Sequence, residues 1–444
     1  RFDQDVNWFV RQSAFLSACN RGDADFIKKF LEQPDIDVNY ITDYGCPLEI
    51  LSRKPLDLFR MLFDHPRVNT DCKSNKSVLF QSMCYEDKSV ANYILNQEKI
   101  NPRPFFHDPN ESILYHAIIN STNDMVQKLM KHPKLVDLCL PSSLQELFNM
   151  SEIHIACLNN NLDQLQALLS DPECDINAQD SRQMTGIHIA SCLGHSDIVR
   201  LLLKDARIDP NLKCDQNFTA VERACLQDHF EIVKMFLALP NVNPNDYSNN
   251  FSEPLLALLV LNNHPNAPKI FQLLLSHPDI NLDFTSADYF QYKIIHTVSS
   301  LGTPDIARLL LADSRIDPNL CTEEKESPLF VACNENNPEV AKVLLSDPRV
   351  DVNASEEPLF QTQTYRQDLE VLKILMDDGR ADPNAVTKND DTPLIISACL
   401  DGNTAVVQLL RNNRAVNDLF LEMTNGDKLI IATIEGDAAE VRKI

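Results

Sequence analysis

Glycine is scarce in this chain, with 9 in 444 residues, and tryptophan occurs once, at Trp8. None of the glycine-based or histidine-based catalytic signatures is present: no G-x-S-x-G, no G-x-x-x-x-G-K-[ST], no G-x-G-x-x-G and no H-E-x-x-H. The sequence therefore gives no reason to expect an enzyme or a bound cofactor. Basic charge is also short, since 40 Lys and Arg face 64 Asp and Glu for a net charge of -24. Such a field repels phosphate backbones and anionic headgroups, which argues against nucleic acid and membrane surfaces as partners. Long apolar runs are missing. The longest, Leu255 to Leu261 after Pro254, falls far short of the roughly 20 residues that a membrane span needs.

The chain opens at Arg1 without a basic-then-apolar leader and stops at Ile444 inside a predicted helix, so it reads as a fragment or processed piece. Thirteen cysteines, an odd number without a secretory signal, suit a reducing compartment better than a disulfide framework, and the cytoplasm is the expected location. What is present is ordinary for a folded protein: 44% hydrophobic and 23% charged residues. The acidity is uneven. Residues 301–400 hold 19 acidic and 9 basic groups, which points to a solvated face or to a partner with a basic surface.

One phrase recurs along the whole chain, as in Gln33-Pro34-Asp35-Ile36-Asp37-Val38-Asn39, Asp205-Ala206-Arg207-Ile208-Asp209-Pro210-Asn211 and Asp347-Pro348-Arg349-Val350-Asp351-Val352-Asn353. Its last position falls at 39, 71, 103, 138, 177, 211, 245, 283, 319, 353, 384 and 418, with a mean spacing of about 34 residues, inside the window of solenoid repeats. Between phrases lie two short helical patterns. In one unit Thr185-Gly186-Ile187-His188-Ile189-Ala190 opens the first, Gly194-His195 turns the chain, and Ile198, Val199, Leu201, Leu202 and Leu203 line the second. Helices of about eight residues are marginal alone, and a two-helix unit cannot bury its own apolar faces, so neighbours must stack.

Three openings, Thr185-Gly186-Ile187-His188-Ile189-Ala190, Ser327-Pro328-Leu329-Phe330-Val331-Ala332 and Thr392-Pro393-Leu394-Ile395-Ile396-Ser397, resemble the T-P-L-H-x-A start of ankyrin repeats. The resemblance implies an all-α ankyrin solenoid of stacked helix pairs joined by hairpin-like loops, one array over 1–444 of about 13 units. Residues 1–12 are expected to form an N-terminal cap or the end of a preceding unit, with Trp8 covering the first unit. An irregularity is expected over 138–150, as an extra helical turn or a slight break between subarrays, and the last unit is incomplete. The inter-helix turn carries Gly22, Gly194, Gly302, Gly402 and Gly436 in some units. In others Asn160, Asp228 or Asn336 stands there, residue types that tolerate the left-handed backbone such a turn needs.

His188, Cys192 and His195 are spaced as zinc ligands, but they also fill structural slots of the repeat and lack a fourth ligand, so no metal is expected. Cys19, Cys157, Cys225, Cys333 and Cys399 each follow an alanine on a first helix, where a small buried hydrophobe is wanted. Glu323-Glu324 and Asp390-Asp391 fall on predicted hairpin tips, where solvent keeps carboxylates ordinary and acid–base catalysis is not expected.

The resemblance implies a non-enzymatic scaffold or adaptor that binds protein partners along a continuous concave face of hairpin tips and first helices. The candidate partner-binding residues are Phe284, Tyr289, Phe290 and Tyr292, four aromatics on one enlarged tip, together with Glu323 and Glu324 for a basic surface. The competing reading of the aromatics is that they fold back on the neighbouring repeat. The alternative function is the recognition arm of a larger enzyme or channel whose active part lies outside this chain.

Overall fold

The computed structural model describes residues 2–42, 45–69, 78–85, 87–97, 112–120, 123–245, 254–262, 264–285, 292–360, 369–386, 394–411 and 416. Among them all regular structure is helical, with an isolated bridge between Thr42 and Gly45 in place of a sheet. The chain divides into two compact units, 1–215 with 219–227 and 216–218 with 228–444.

In the first unit the helices run α1 (Phe2–Arg21), α2 (Ala24–Leu31), α3 (Pro47–Leu51), α4 (Leu56–Phe63), α5 (Val78–Met83), α6 (Ser89–Leu95), α7 (Ile113–Asn120) and α8 (Asn123–Met130). They continue with α9 (Pro141–Phe148), α10 (Glu152–Leu158), α11 (Leu162–Leu169), α12 (Gly186–Leu193), α13 (Ser196–Leu202) and α14 (Ala220–Leu226). The second unit holds α15 (Phe230–Leu237), α16 (Leu255–Asn262), α17 (Ala267–Leu275), α18 (Ile294–Leu301), α19 (Pro304–Leu311), α20 (Pro328–Asn334), α21 (Pro338–Ser346), α22 (Glu370–Asp378), α23 (Leu394–Leu400) and α24 (Thr404–Arg411). First helices pack on first helices, as α10 on α12 and α18 on α20, and second helices on second, as α17 on α19 and α19 on α21. Residues after Asn425, including Gly436, lie outside the described residues.

The starts of α3, α10, α12 and α14 are chemically specific. Ser151 N donates to Nδ1 of His154 (3.1 Å) and Thr185 N to Nδ1 of His188 (3.2 Å), a capping box in which the imidazole satisfies an orphan helix N–H. Glutamate fills the same slot elsewhere: Thr219 N donates to Glu222 (2.7 Å) and Cys46 N to Glu49 (2.9 Å). The far nitrogen of His154 bonds Met184 O at 2.9 Å, so one side chain ties its own helix start to the next repeat.

At the inter-helix turn Asn160, Asp228 and Asn336 have φ of 53°, 61° and 58°, and Gly22, Gly194 and Gly402 have 74°, 75° and 70°, the left-handed conformation read from the sequence. Gly302 departs from that reading. It is extended, at φ -73° and ψ 168°, as is Thr303, which directly precedes Pro304, and a Cβ on Gly302 would stand 2.5 Å from Val298 O. Left-handed residues also occur at Gln183, Asn217 and Lys325, near the hairpin tips, where the sequence reading had not placed them.

The connector phrase locks one repeat to the next. Its Asp accepts from the backbone two residues on, as Asp37 from Asn39 N (2.9 Å) and Asp317 from Asn319 N (2.9 Å). The final Asn then bridges forward: Asn177 donates to Arg207 O (2.8 Å) and accepts from Asp209 N (2.9 Å), and Asn319 does the same with Arg349 O and Asp351 N, both at 2.7 Å. The arginine reaches backward to the carbonyl end of the preceding second helix. Arg207 donates to Leu169 O (3.0 Å), Arg315 to Leu275 O (2.9 Å), Arg380 to Leu345 O (2.6 Å) and Arg349 to Leu311 O. Each guanidinium thus meets carbonyls that lack an intrahelical partner and the negative end of the helix dipole. An Asp two residues earlier holds it, as Asp347 holds Arg349 at 2.6 Å, and this hydrogen bond lowers the Asp347 pKa.

Residues 2–12 are continuous with the first unit, since α1 runs unbroken from Phe2 to Arg21. The N-terminal half of α1 is fastened to the first connector and tip. Trp8 packs edge-on against Tyr40 (5.6 Å), Arg11 pairs with Asp35, and the Gln12 carboxamide accepts from Asp37 N (2.6 Å) and donates to Asp37 O (3.2 Å).

Candidate functional site

The stretch 138–150 contains an added helix, α9, closed by Asn149 in the left-handed region (φ 54°). Beyond it the regular succession in unit 1 changes. α7 packs against α12, two helix pairs further on. At one end of α7 the Tyr115 hydroxyl donates to Asp180 Oδ2 at 2.7 Å, and the Arg182 guanidinium lies 5.7 Å from its ring centre. At the other end Gln227 Nε2 donates to Ile119 O at 2.6 Å, beyond the end of α14. A helix apolar on one side only would not serve here, and α7 is apolar around its circumference: Ile113, Leu114, Tyr115, Ala117 and Ile118 are all buried. Asp180 accepts from Arg182 N (2.8 Å) and Met184 N (2.9 Å) as well, so the buried carboxylate is satisfied and aims the tyrosine. Burial raises the Asp180 pKa, and burial together with the Asp180 charge raises that of Tyr115. The expected continuous face of first helices is therefore covered over α12 in unit 1.

In unit 2 the first helices α16, α18 and α20 follow one another. Before α18 lies the aromatic stretch 284–292, of which residues 284, 285 and 292 are described. Phe284 is half-buried, whereas Tyr292 is only 8% exposed and lies 5.6 Å from the His296 ring, so Tyr292 packs within the unit and presents little surface. Tyr289 and Phe290 lie outside the described residues. Lys293 closes the tip with an ion pair to Asp283 at 2.7 Å. Beside it a cleft of about 310 Å³ is lined by Leu282, Lys293, Ile294, Arg315, Asp317 and Leu320, among others, and joins this tip to the following connector.

Glu323 and Glu324 lie exposed on the next tip, a tight turn in which Lys325 N donates to Thr322 O and Thr322 N to Glu326 O, both at 3.0 Å. Burial, then the neighbouring Glu324 and Glu335 charges, raise the Glu326 pKa. This turn is laced to the tip after it, where Glu356 N donates to Lys325 O (3.1 Å) and Ser355 Oγ to Ser327 Oγ (2.7 Å). The consequence is a row of carboxylates, Glu323, Glu324 and Glu356, all exposed on two adjoining tips. Glu356 belongs to this row although the sequence reading did not single it out. The signal was its place in the acidic stretch 301–400. Asp390 and Asp391 lie outside the described residues.

The zinc-like spacing is explained by separate tasks. His188 Nδ1 lies 2.8 Å from Thr185 Oγ1, and His195 Nδ1 lies 2.9 Å from Cys157 O. Among the described residues no group of three His, Cys, Asp or Glu is placed to hold a metal ion. The five Ala-Cys cysteines are buried. Burial pushes the Cys19 and Cys333 thiols up to about 12, well away from the thiolate form that reacts or binds metal. No described helix is long and apolar enough to cross a membrane.

Known proteins share this architecture. The family model "Ankyrin repeats (3 copies)" matches residues 153–247 and 256–356. No curated protein matches the chain. Among solved structures, the ankyrin repeat domain of Bcl-3, a member of the IkappaB family, is 18% identical, with a TM-score of 0.44 over 51% of this chain and 98% of its own. An ankyrin repeat domain from Acinetobacter baumannii AYE is 21% identical, with a TM-score of 0.38 over 44% of this chain and 95% of its own. A chain in the complex of a predatory endopeptidase with an immunity protein from Bdellovibrio bacteriovorus is 24% identical, with a TM-score of 0.35 over 44% of this chain and 97% of its own. Stacked short helix pairs, capping boxes at the first helices and the matched repeat model lead to one conclusion: the chain is an ankyrin repeat protein.

Proposed function

We propose that the chain is a non-enzymatic protein-interaction scaffold whose unit 2 binds a partner with a basic surface along its hairpin tips. The observation that carries this reading is the row of exposed carboxylates Glu323, Glu324 and Glu356 on two tips tied by backbone and serine hydrogen bonds. Charges held on a firm frame attract a basic partner without the cost of ordering a loop, and they act mainly on the association rate. Phe284 supplies apolar area on the tip before them, with Tyr289 and Phe290 proposed as further contacts. Thirteen cysteines, an odd number, suit a reducing compartment better than a disulfide framework, and we place the protein in the cytoplasm.

The test is affinity purification on the immobilised full chain, with the charge-reversed chain Glu323→Lys, Glu324→Lys as control. A partner retained by the first, lost by the second and associating more slowly as salt rises supports the reading. A partner whose association rate ignores both changes refutes it. With that partner, Tyr289→Ala or Phe290→Ala is expected to weaken binding roughly 30-fold at unchanged melting temperature, about 2 kcal/mol. Loss of stability with unaltered affinity would place these side chains in packing.

A further inference from the structure

We infer that unit 1 carries a docking groove for a short extended peptide of another protein, one that combines apolar side chains with a carboxylate. The groove has a volume of about 800 Å³ and runs between one side of α1, the first hairpin tip and the end of α3. Phe9 and Leu16 stand on its α1 wall, Ile41 on the tip and Ile50 on α3. Phe9 is 57% and Ile41 46% exposed, although both are large apolar side chains at a concave surface. From Phe9 to Asn20 the α1 wall is about 16 Å long at 1.5 Å per residue, the reach of about five extended residues.

Two further observations define the occupant. The walls are held in place by the Trp8–Tyr40, Arg11–Asp35 and Gln12–Asp37 contacts, so a ligand meets a formed groove. Among the described residues the lining includes Arg53 and Lys54 and no carboxylate, in a chain with 64 acidic residues. Among the described residues Arg53 donates to the neutral Gln81 Oε1, at 3.1 and 3.3 Å, and neither Arg53 nor Lys54 makes an ion pair. Two cations beside an apolar floor select a ligand that brings its own negative charge, most specifically a carboxylate that the Arg53 fork can meet. This inference goes beyond the function proposed above: the groove lies in the other unit and selects the opposite charge, so the fate of the Glu323 and Glu324 variant does not bear on it.

The experiment is selection of a displayed library of random 12-residue peptides on the full chain, followed by affinity measurement of the enriched peptides on four proteins. These are the wild type, Phe9→Asp, Ile41→Asp and the double variant Arg53→Glu, Lys54→Glu, each checked for unchanged helical content by circular dichroism. The expected winners pair two or more apolar residues with Asp or Glu and bind each variant at least tenfold more weakly. Enriched peptides that are basic, affinities unchanged in the variants, or no enrichment beyond that on the Phe9→Asp protein would overturn the inference. So would a micromolar wild-type dimer that Phe9→Asp dissociates, since the groove would then belong to a second copy. If both apolar variants lose helical content, the Arg53, Lys54 pair decides on the same criterion.

Discussion

Units 1 and 2 are built from the same repeat and both use its arginine connector, as Arg67 to Leu31 O and Arg207 to Leu169 O in unit 1, yet one connector of unit 1 has lost it. In unit 2 the successive connectors 313–319, 347–353 and 378–384 each carry an arginine that bonds the preceding second helix: Arg315 to Leu275 O, Arg349 to Leu311 O and Arg380 to Leu345 O. In unit 1 the connector His132-Pro133-Lys134-Leu135-Val136-Asp137-Leu138 has Lys134 in the arginine place, Val136 in the place of the turn Asp and Leu138 in the place of the bridging Asn. All three polar tasks of the phrase are lost together, and it is directly after this phrase that α9 appears and α7 is found against α12. Lysine has no planar fork to serve two carbonyls, and Val and Leu cannot bond the next connector. The difference teaches that stacking here is propagated by polar contacts between connectors as well as by apolar burial, and that where they lapse an all-round apolar helix finds another surface.

The largest expected effect breaks the contact special to unit 1. Tyr115→Ala removes a buried aromatic together with its hydrogen bond to Asp180, and the expected cost is about 3 kcal/mol. Tyr115→Phe keeps the ring and should cost about 1 kcal/mol. Hydrogen exchange checks the location: protection should fall in α7 and α12 and stay unchanged in α18 to α21. Uniform loss across both units would mean that the contact is not a local feature of unit 1.

A second perturbation should strike both units alike. Burial lowers the pKa of His154 in unit 1 and of His296 in unit 2. His154 works neutral, with Nδ1 accepting from Ser151 N and Nε2 donating to Met184 O, and His296 Nε2 bonds Leu320 O at 2.7 Å. Because the folded pKa lies below the unfolded one, near 6.5, their contribution is complete above that pH and is lost as pH falls toward the folded value. Urea midpoints measured from pH 8 to 5 should therefore decline below about 6.5, and the decline should shrink in His154→Gln, His296→Gln protein, however much less stable that variant is throughout. A pH response untouched by these substitutions would assign it to other groups.

Much of the repeat was legible in the sequence because it depends on neighbours in the chain. The helix pairs, the left-handed Asn160, Asp228 and Asn336 and the packed Ala-Cys positions follow from local pattern and residue chemistry. The covering of α12 by α7 was not legible, since Tyr115 and Asp180 are 65 residues apart and Ile119 and Gln227 are 108 apart. A hint was present in Ile113-Leu114-Tyr115-His116-Ala117-Ile118-Ile119, where the apolar residues do not keep to one face, but its partner could not be named. Of the proposed binding tip, Glu323 and Glu324 are exposed as read, whereas Tyr292 is packed on His296, a contact four residues away that aromatic content alone does not disclose.

The connector itself gives a smaller, more exact comparison. Arg349→Ala should cost about 1 kcal/mol in unit 2, the value of a charge-assisted bond to helix-end carbonyls at a partly exposed site. Arg349→Lys should recover little of it, because one ammonium cannot hold both Asp347 and Leu311 O in the guanidinium geometry.

The smallest expected effect comes from restoring the phrase where unit 1 lost it. The triple variant Lys134→Arg, Val136→Asp, Leu138→Asn rebuilds the polar side chains of a regular connector. Three gains of the kind seen in unit 2 would add well over 1 kcal/mol if each found its partner. They are not expected to. A bridging Asn needs the backbone of the next connector beside it, and here α9 intervenes within three residues of Leu138, while Tyr115 and Gln227 hold α7 at its other surface. Without partners the new groups are exposed polar side chains, and surface changes of that sort fall within about 0.5 kcal/mol. Urea unfolding of the triple variant therefore should match the wild type within that margin. A gain above 1 kcal/mol, with protection lost at Tyr115 and Asp180, would show instead that the connector alone sets the succession and that α9 merely follows from its absence.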